Sequence, residues 1–556
     1  MDTQRLILFF VFVFSTFMLV DGWQRDQRPP VAQSQSDKGS KKADAGGIPV
    51  PAVPTTSVPT TAAVAAATPS AILASGGQTI KVETDLLLAE ISTKGGDIRR
   101  LEFKQHKGTL DKTKNFVLFQ AVADHTYVAQ SGLIGHEGLP DHRTMYMVSS
   151  REFKLGASEK SLQVRLEAPE ENGIKVVQIY TFSRGSYLVD VVYEITNGSE
   201  KALQPHGYFQ LVRDRKSPDG DSAMLPTYTG AAIYTAGDKF QKVAFDDIDK
   251  GKTPYAKTSQ NEGWAAIIQH YFLSAFLPKD QTPREFYTKK LDGGLYTAGV
   301  VVTGTAIPAG KRASISSALY AGPQDTQTLE KLAPGLDLVV DYGILTVIAV
   351  PLFIVLNWIH GWVGNWGIAI ILLTVLVKAI FYPLQEASYK AMARMKVIAP
   401  KMQQLKERYG DDRARMQKAM MELYQKEKVN PMAGCLPILV QMPVFIALYW
   451  VILASVELRH APFYGWIADL SSVDPWYILP VLMGASMIIQ TRLNPVPPDP
   501  VQAKVMKIMP IAFSVFFFFF PAGLVLYWLV NNILSIAQQW HINRVIEGAN
   551  QKPAKA

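Results

Sequence analysis

The chain of 556 residues has one cysteine, Cys435, so an intramolecular disulfide and a cysteine zinc cluster are both excluded. Its nine histidines are scattered without ligand spacing, and it has no Gly-x-Ser-x-Gly, no Walker-type phosphate loop and no His-Glu-x-x-His. Nothing resembles a catalytic centre, and neither a cofactor nor a metal is expected. Lys and Arg exceed Asp and Glu by only eight, and much of the excess sits beside apolar runs rather than on one basic arm. Sequence-specific nucleic-acid binding is therefore not expected. No internal repeat is visible in residues 342–545, which disfavours a small-solute secondary transporter, the alternative class for a chain of this kind.

What is present is divided. Arg5 precedes an apolar run, Leu6 to Val20, and bulky Thr16-Phe-Met-Leu-Val20 offers no small-residue cleavage site. Residues 1–23 are predicted to be an uncleaved signal-anchor with a cytoplasmic N-terminus. Residues 24–77, rich in Pro, Ala, Thr, Ser and Gln, have too few large apolar groups to offset the entropy of ordering and form a disordered exported linker. From residue 78 to 335 the periodicity is two: Leu162, Val164 and Leu166 alternate with polar residues, as do Val189, Val191, Tyr193 and Ile195. Asn172-Gly173 supplies a hairpin turn between two such runs. An exported antiparallel β-sandwich is the simplest packing.

After Tyr342 the apolar runs crowd together. Between Leu384 and Met432 lies a polar segment with eleven basic and six acidic residues, which the positive-inside rule places in the cytoplasm. The chain must reach it from outside by an odd number of crossings. One is assigned to 366–384, while residues 336–365 are laid along the outer interface, interrupted by Pro351 and carrying Trp358, His360 and Trp362 at headgroup depth. Further spans follow at about 432–456, 476–491, 506–520 and 522–539, and the basic tail 546–556 ends inside. With the first anchor this makes an α-helical polytopic membrane protein of six spans. Within residues 385–430, Met392, Met395, Ile398, Met402 and Leu405 recur at helical spacing, Gly410-Asp-Asp412 makes a turn, and Met416, Met420 and Leu423 resume it. That pattern predicts a cytoplasmic helical hairpin. Its Lys401, Lys406, Arg408, Arg413 and Arg415 are candidates for docking a ribosome, a nascent chain or the lipid surface, against the plainer reading of a solvated loop.

Lys378 is the informative residue, because it lies in an apolar run whose other polar member is Thr374, one turn earlier. A lysine at a helix centre costs about 2.5–3.5 kcal/mol on the translocon scale, so it implies a wet cavity or an acidic partner. Snorkelling to cytoplasmic phosphates is the equal alternative, since Leu384 is only about 9 Å further along the helix. Gln441, between Pro437 and Pro443, and Asn531 and Asn532 in the last span are compatible with a hydrophilic groove, although one amide more often bonds a neighbouring helix.

Three runs carry a resemblance: Lys378-Ala-Ile-Phe-Tyr-Pro-Leu384, Lys428-Val-Asn-Pro-Met-Ala-Gly-Cys-Leu-Pro-Ile-Leu-Val-Gln-Met-Pro-Val-Phe-Ile-Ala-Leu-Tyr449 and Phe520-Pro-Ala-Gly-Leu-Val-Leu-Tyr-Trp528. They resemble the YidC/Oxa/Alb family of membrane insertases. Ser92-Thr-Lys-Gly-Gly-Asp97 and Gly263-Trp-Ala-Ala-Ile-Ile-Gln-His-Tyr-Phe272 are similar to the exported domain of its Gram-negative form. The resemblance implies a bacterial inner-membrane location, a periplasmic β-supersandwich, and a five-helix insertase core around a hydrophilic groove closed toward the periplasm. It further implies action as an insertase and chaperone on nascent membrane proteins, with the ribosome, Sec translocon components and the lipid bilayer as partners. Lys378 stands where the family usually has arginine, so the positive charge is kept without the planar bidentate donor. Tyr527 and Trp528 correspond to the family's groove aromatics.

Overall fold

The computed structural model describes residues 77–221, 227–410, 412–427, 436–493 and 500–550. The expected anchor (1–23) and nearly all of the linker (24–77) lie outside the described residues. Two compact units are present, one ending at Val340 and one beginning at Asp341.

The first unit is built from a ten-stranded and a nine-stranded sheet, antiparallel throughout except where Thr79–Glu83 pairs in parallel with Glu152–Lys154. Turn chemistry sets its hairpins. Asn172 (φ 56°) and Gly173 (φ 73°) both adopt the left-handed conformation that a two-residue hairpin turn requires, joining Ser161–Glu167 to Ile174–Ser183. Ser161–Glu167 buries Val164 and Leu166 on one face and exposes the intervening residues. In His206–Arg213, Trp264–Gln269 and Phe272–Leu277, by contrast, every residue is buried, so alternation disappears where both faces of a sheet are covered.

Without a disulfide, the two sheets are tied by packing and by buried polar pins. Phe209 packs on Phe276 at 5.6 Å between ring centres, the Ser131 and Tyr193 hydroxyls lie 2.8 Å apart, and Tyr127 bonds Ser274. Arg213, fully buried, donates to Gln269 Oε1 at 2.6 Å and to the Lys216 carbonyl at 2.9 Å. Each pin satisfies groups whose burial unpaired would cost about 1–3 kcal/mol.

The second unit is helical: α1 (Thr346–Val363), α2 (Trp366–Ile380), α3 (Tyr382–Tyr409), α4 (Arg413–Lys426), α5 (Leu436–Ala454), α6 (Ile478–Leu493), α7 (Pro500–Phe517) and α8 (Ala522–Asn550). Gly343–Val363, containing α1, is long and apolar enough to cross a membrane, with mean hydropathy 2.0 over its apolar window. Pro351 does not interrupt it: the helix continues through the proline, whose missing N–H takes the ordinary helical donor only from the carbonyl of the outward-facing Val347. Ala349, Phe353, Leu356 and Ile359 face inward, whereas Val347, Ile354, Trp358 and Trp362 form an exposed apolar stripe. The α2 helix ends at Ile380, short of residue 384, and α3 leaves it at 66° with Pro383 in its first turn, where a missing N–H is harmless. The next two helices make a hairpin: Ile398 and Met402 of α3 pack against Met420, Leu423 and Tyr424 of α4. The last helix, α8, continues beyond residue 539 to Asn550.

One buried acid in the first unit gives the fold a pH dependence. The Asp97 carboxylate accepts from Gln130 Nε2 at 2.8 Å through Oδ2, while its buried Oδ1 has no hydrogen-bond partner among the described residues. Burial pushes the group up to about 7, against the opposing pull of the Gln130 bond and Arg99. Since the folded value lies above the ordinary 3.8, the contribution of Asp97 to stability is full below pH 3.8 and is lost as pH rises through about 7. Hydrogen exchange of amides 98–107 and 174–183 in the full-length protein, corrected for intrinsic rates, is expected to show local opening increasing by on the order of tenfold or more between pH 4 and pH 8. Asp97→Asn should flatten that profile; an unchanged slope would exclude Asp97 as its source.

Candidate functional site

The candidate site is a row of polar side chains on helices that are otherwise apolar. On α8, Tyr527, Asn531 and Ser535 recur every four residues and share one face, with Trp528 and Asn532 one residue round. All but Trp528 are buried. The facing helices supply Lys378 from α2, Gln385 from α3, Gln441 from α5 and Ser486 from α6.

Lys378 is 7% exposed, and its ammonium neither reaches the surface nor meets a carboxylate among the described residues. Its Nζ donates to Ser535 Oγ at 2.6 Å and more weakly to Gln385 Oε1 at 3.4 Å. Ser535 in turn donates to the Asn531 carbonyl at 2.8 Å, so its hydroxyl accepts from the lysine and passes its own proton into α8. Gln441 Nε2 donates to Asn531 Oδ1, and Asn532 Nδ2 donates to Ser486 Oγ at 3.2 Å. The charge thus rests on neutral oxygens. An ammonium with three donors and these acceptors is held, but no carboxylate among the described residues neutralises it.

Thr374 lies on the face of Lys378, but its hydroxyl proton goes to the Ile370 carbonyl of its own helix at 2.7 Å. Tyr527 and Trp528 enter an aromatic cluster with Phe445 and Phe517: the Phe445 ring centre is 6.3 Å from Tyr527 and 4.5 Å from Trp528, and Phe517 is 5.4 Å from Trp528. The buried Trp528 indole nitrogen has no partner among the described residues, and the Tyr527 hydroxyl points toward Gln441 without a hydrogen bond of normal geometry. These are polar tips in an apolar wall.

The structure therefore brings Lys378, Gln441, Asn532, Tyr527 and Trp528 onto one interior surface and adds Ser535 and Gln385, which sequence reasoning did not single out. The signal for Ser535 was its position four residues after Asn531 on an apolar helix. Gln385 enters only because the chain bends at Phe381. The five basic hairpin residues are elsewhere. Lys401 pairs with Glu427 at 2.7 Å, Arg415 with Asp412 at 3.2 Å, and Arg408 lies over the Tyr409 ring, while Lys406 and Arg413 are placed by backbone in α3 and α4. Exposed pairs of this kind contribute about 0–1 kcal/mol and leave the face available for a partner.

Comparison with known proteins agrees along the whole chain. Residues 79–355 match the family described as the YidC periplasmic domain, and residues 358–550 match the 60Kd inner membrane protein family. A membrane protein insertase YidC of Aromatoleum aromaticum is 55% identical over 564 residues, covering 100% of both chains. That of Methylobacillus flagellatus is 55% identical over 553 residues, covering 99% of each. Among solved structures, an active YidC insertase with its first transmembrane domain resolved covers 84% of this chain and 95% of its own at 18% identity, with a TM-score of 0.39. With both halves matched and more than half of all residues shared end to end with such relatives, the chain belongs to the YidC family of membrane protein insertases, non-enzymatic proteins of the inner membrane with a β-rich periplasmic domain and a helical C-terminal region.

Proposed function

We propose that this insertase works through the polar face around Lys378: a nascent membrane segment docks on the α3–α4 hairpin, its short polar or acidic tail moves to the ammonium, and its apolar part passes into lipid beside α5, α7 and α8. The observation that carries this reading is the buried ammonium resting, among the described residues, on neutral oxygens alone, a charge still open to a client carboxylate. On this reading residues 1–23 anchor the chain with the N-terminus in the cytoplasm and α1 lies along the periplasmic interface, its Trp358 and Trp362 at headgroup depth. The helices α2, α5, α6, α7 and α8 are then the five-helix core, six spans in all with the anchor, and the hairpin and C-terminus are cytoplasmic. Parity supports this arrangement, since a second crossing through α1 would place the basic hairpin outside.

Magnitudes assign the work. Each Leu, Ile, Phe or Val at a helix centre contributes about 0.3–0.6 kcal/mol on insertion, so a span of twenty supplies the larger driving term. The membrane potential adds roughly 2.3 kcal/mol per negative charge per 100 mV. The polar face lowers the barrier for the tail by replacing part of its hydration, and no nucleotide is required. The helices help as well: α2 and α6 rise only about 22–24 Å, short of the ~30 Å hydrocarbon core, which favours local thinning at the site. The ribosome and Sec components are the proposed partners on the cytoplasmic and lateral sides, with the hairpin as the ribosome's contact.

Two outcomes test the reading. Lys378→Glu is expected to slow insertion of acidic-tailed clients at least tenfold, on the order of the 1.4 kcal/mol that reversing one partly screened charge supplies, and to leave clients with neutral tails within twofold. Lys378→Arg should act as wild type, and photo-crosslinkers at Lys378, Gln441 and Trp528 should capture tail, span and span respectively; wild-type insertion by Lys378→Glu would sink the electrostatic step. Reversing Lys401, Arg408, Arg413 and Arg415 together to Glu should abolish co-sedimentation with ribosomes at low salt while insertion of clients presented after synthesis continues. Ribosome binding that survives the reversal would move the docking site elsewhere.

A further inference from the structure

Residues 455–477, which join α5 to α6, contain only one helical turn, Val456–Leu458, yet two buried carboxylates organise them. Asp469 Oδ1 accepts from the His460 backbone N–H at 3.1 Å, from the Ser471 N–H at 2.9 Å and from the Ser471 hydroxyl at 2.7 Å, while its Oδ2 lies 2.8 Å from His460 Nδ1. His460 is held at φ 58°, a left-handed conformation costly for a residue with a side chain, and both its backbone and its ring are secured by this one carboxylate. Asp474 takes the Trp466 indole N–H at 3.0 Å, the Trp476 N–H at 3.1 Å and, through Oδ2, the Leu479 N–H at 2.7 Å in the first turn of α6. The segment is a built object rather than a slack connection.

It is also seated on the two helices that carry the site. The Ala522 N–H donates to the Ser472 carbonyl at 2.7 Å and the Gly523 N–H to the Leu470 carbonyl at 2.9 Å, so the first turn of α8 hangs from residues 470–472, immediately after Asp469. At α2, the Asn365 side chain reaches the Pro462 and Phe463 carbonyls at 3.4 Å, and the Phe463 ring lies so close over Gly367 that any side chain there would collide with it. Tyr527 is only about 7.5 Å further along α8 from Ala522. A polar tail travelling from Lys378 past Tyr527 therefore meets this segment next.

We infer that residues 455–477 are a latched cap on the client path, and that Asp469 is the positioning residue that holds the cap shut over the end of α8 when no client is present. The inference rests on the topology proposed above, in which this end of α8 faces the periplasm. Opening does not require α2 or α8 to unfold: releasing the Asp469 bonds loosens His460 and Ser471 and weakens the hold of residues 470–472 on Ala522 and Gly523, leaving the Asn365 and Phe463 contacts as the remaining attachment to α2.

The test uses the full-length protein with its sole cysteine removed (Cys435→Ser) and a reporter, Leu524→Cys, at a fully buried position beneath the cap. In right-side-out vesicles a membrane-impermeant maleimide added at the periplasmic face should label the parent slowly. Asp469→Ala should raise the rate at least tenfold, and Asp469→Asn, which keeps an oxygen for both N–H groups and the Ser471 hydroxyl, should restore most of the protection. Gly367→Ala displaces Phe463 without touching the carboxylate and should raise labelling too. Equal rates in the parent, Asp469→Ala and Gly367→Ala proteins, each with the parent's trypsin pattern, would overturn the latch. Labelling that rises only for reagent at the cytoplasmic face would overturn it through the topology instead.

Discussion

An ammonium in the middle of an apolar helix has to find oxygen, and the polar architecture of the helical unit follows from how Lys378 finds it. Its acceptors come from two other helices, Ser535 on α8 and Gln385 on α3. Ser535 is oriented by the Asn531 carbonyl, and Asn531 by Gln441 of α5, so one charge on α2 organises groups on three neighbours. Replacing such a network with apolar residues of equal volume commonly leaves stability unchanged or improves it, so stability is a poor reason for it to exist. The proposed role in handling charged clients is the better one. Neutral acceptors hold the ammonium in place without cancelling it, whereas a built-in carboxylate would have competed with every acidic client.

The same economy of polar contacts recurs under a different solvent regime in the β-rich unit. There the apolar area of two large sheets supplies cohesion, and a few buried pins, Arg213 to Gln269, Tyr127 to Ser274 and Ser131 to Tyr193, choose one registration of sheet on sheet among many of similar area. A domain with no disulfide needs that choice made by side chains. Asp97, half satisfied within this interior, is where the arrangement is least neutral to its surroundings.

Periodicity was legible wherever an element had one wet and one dry face. Ser161–Glu167 alternates as its sequence does, the Asn172-Gly173 pair makes the two left-handed residues its turn needs, and the Ile398 and Met402 stripe packs on Met420 and Leu423. It failed where both faces are covered, as in Trp264–Gln269, because full burial removes the polar half of the pattern. It also misjudged Pro351, since a proline whose unmade bond falls on an outer face does not stop a helix. For the candidate site, a charge and isolated amides in apolar runs marked Lys378, Gln441 and Asn532, whereas Thr374 spends its proton within its own helix.

By itself, then, the sequence determined the division into an exported β half and a membrane half, the helical hairpin between spans and the presence of a costly charge, since all of these are one-dimensional properties of hydropathy, period and sign. What only the tertiary structure decided is which groups share that charge and which distant segments meet. Ser535 lies 157 residues from Lys378 in sequence, and Gln385 reaches it because α3 departs from α2 at 66°. The contacts of Leu470 with Gly523 and of Phe463 with Gly367 likewise join distant segments. Such contacts depend on helix bends and crossing positions summed over the whole bundle, and no local window of residues encodes them.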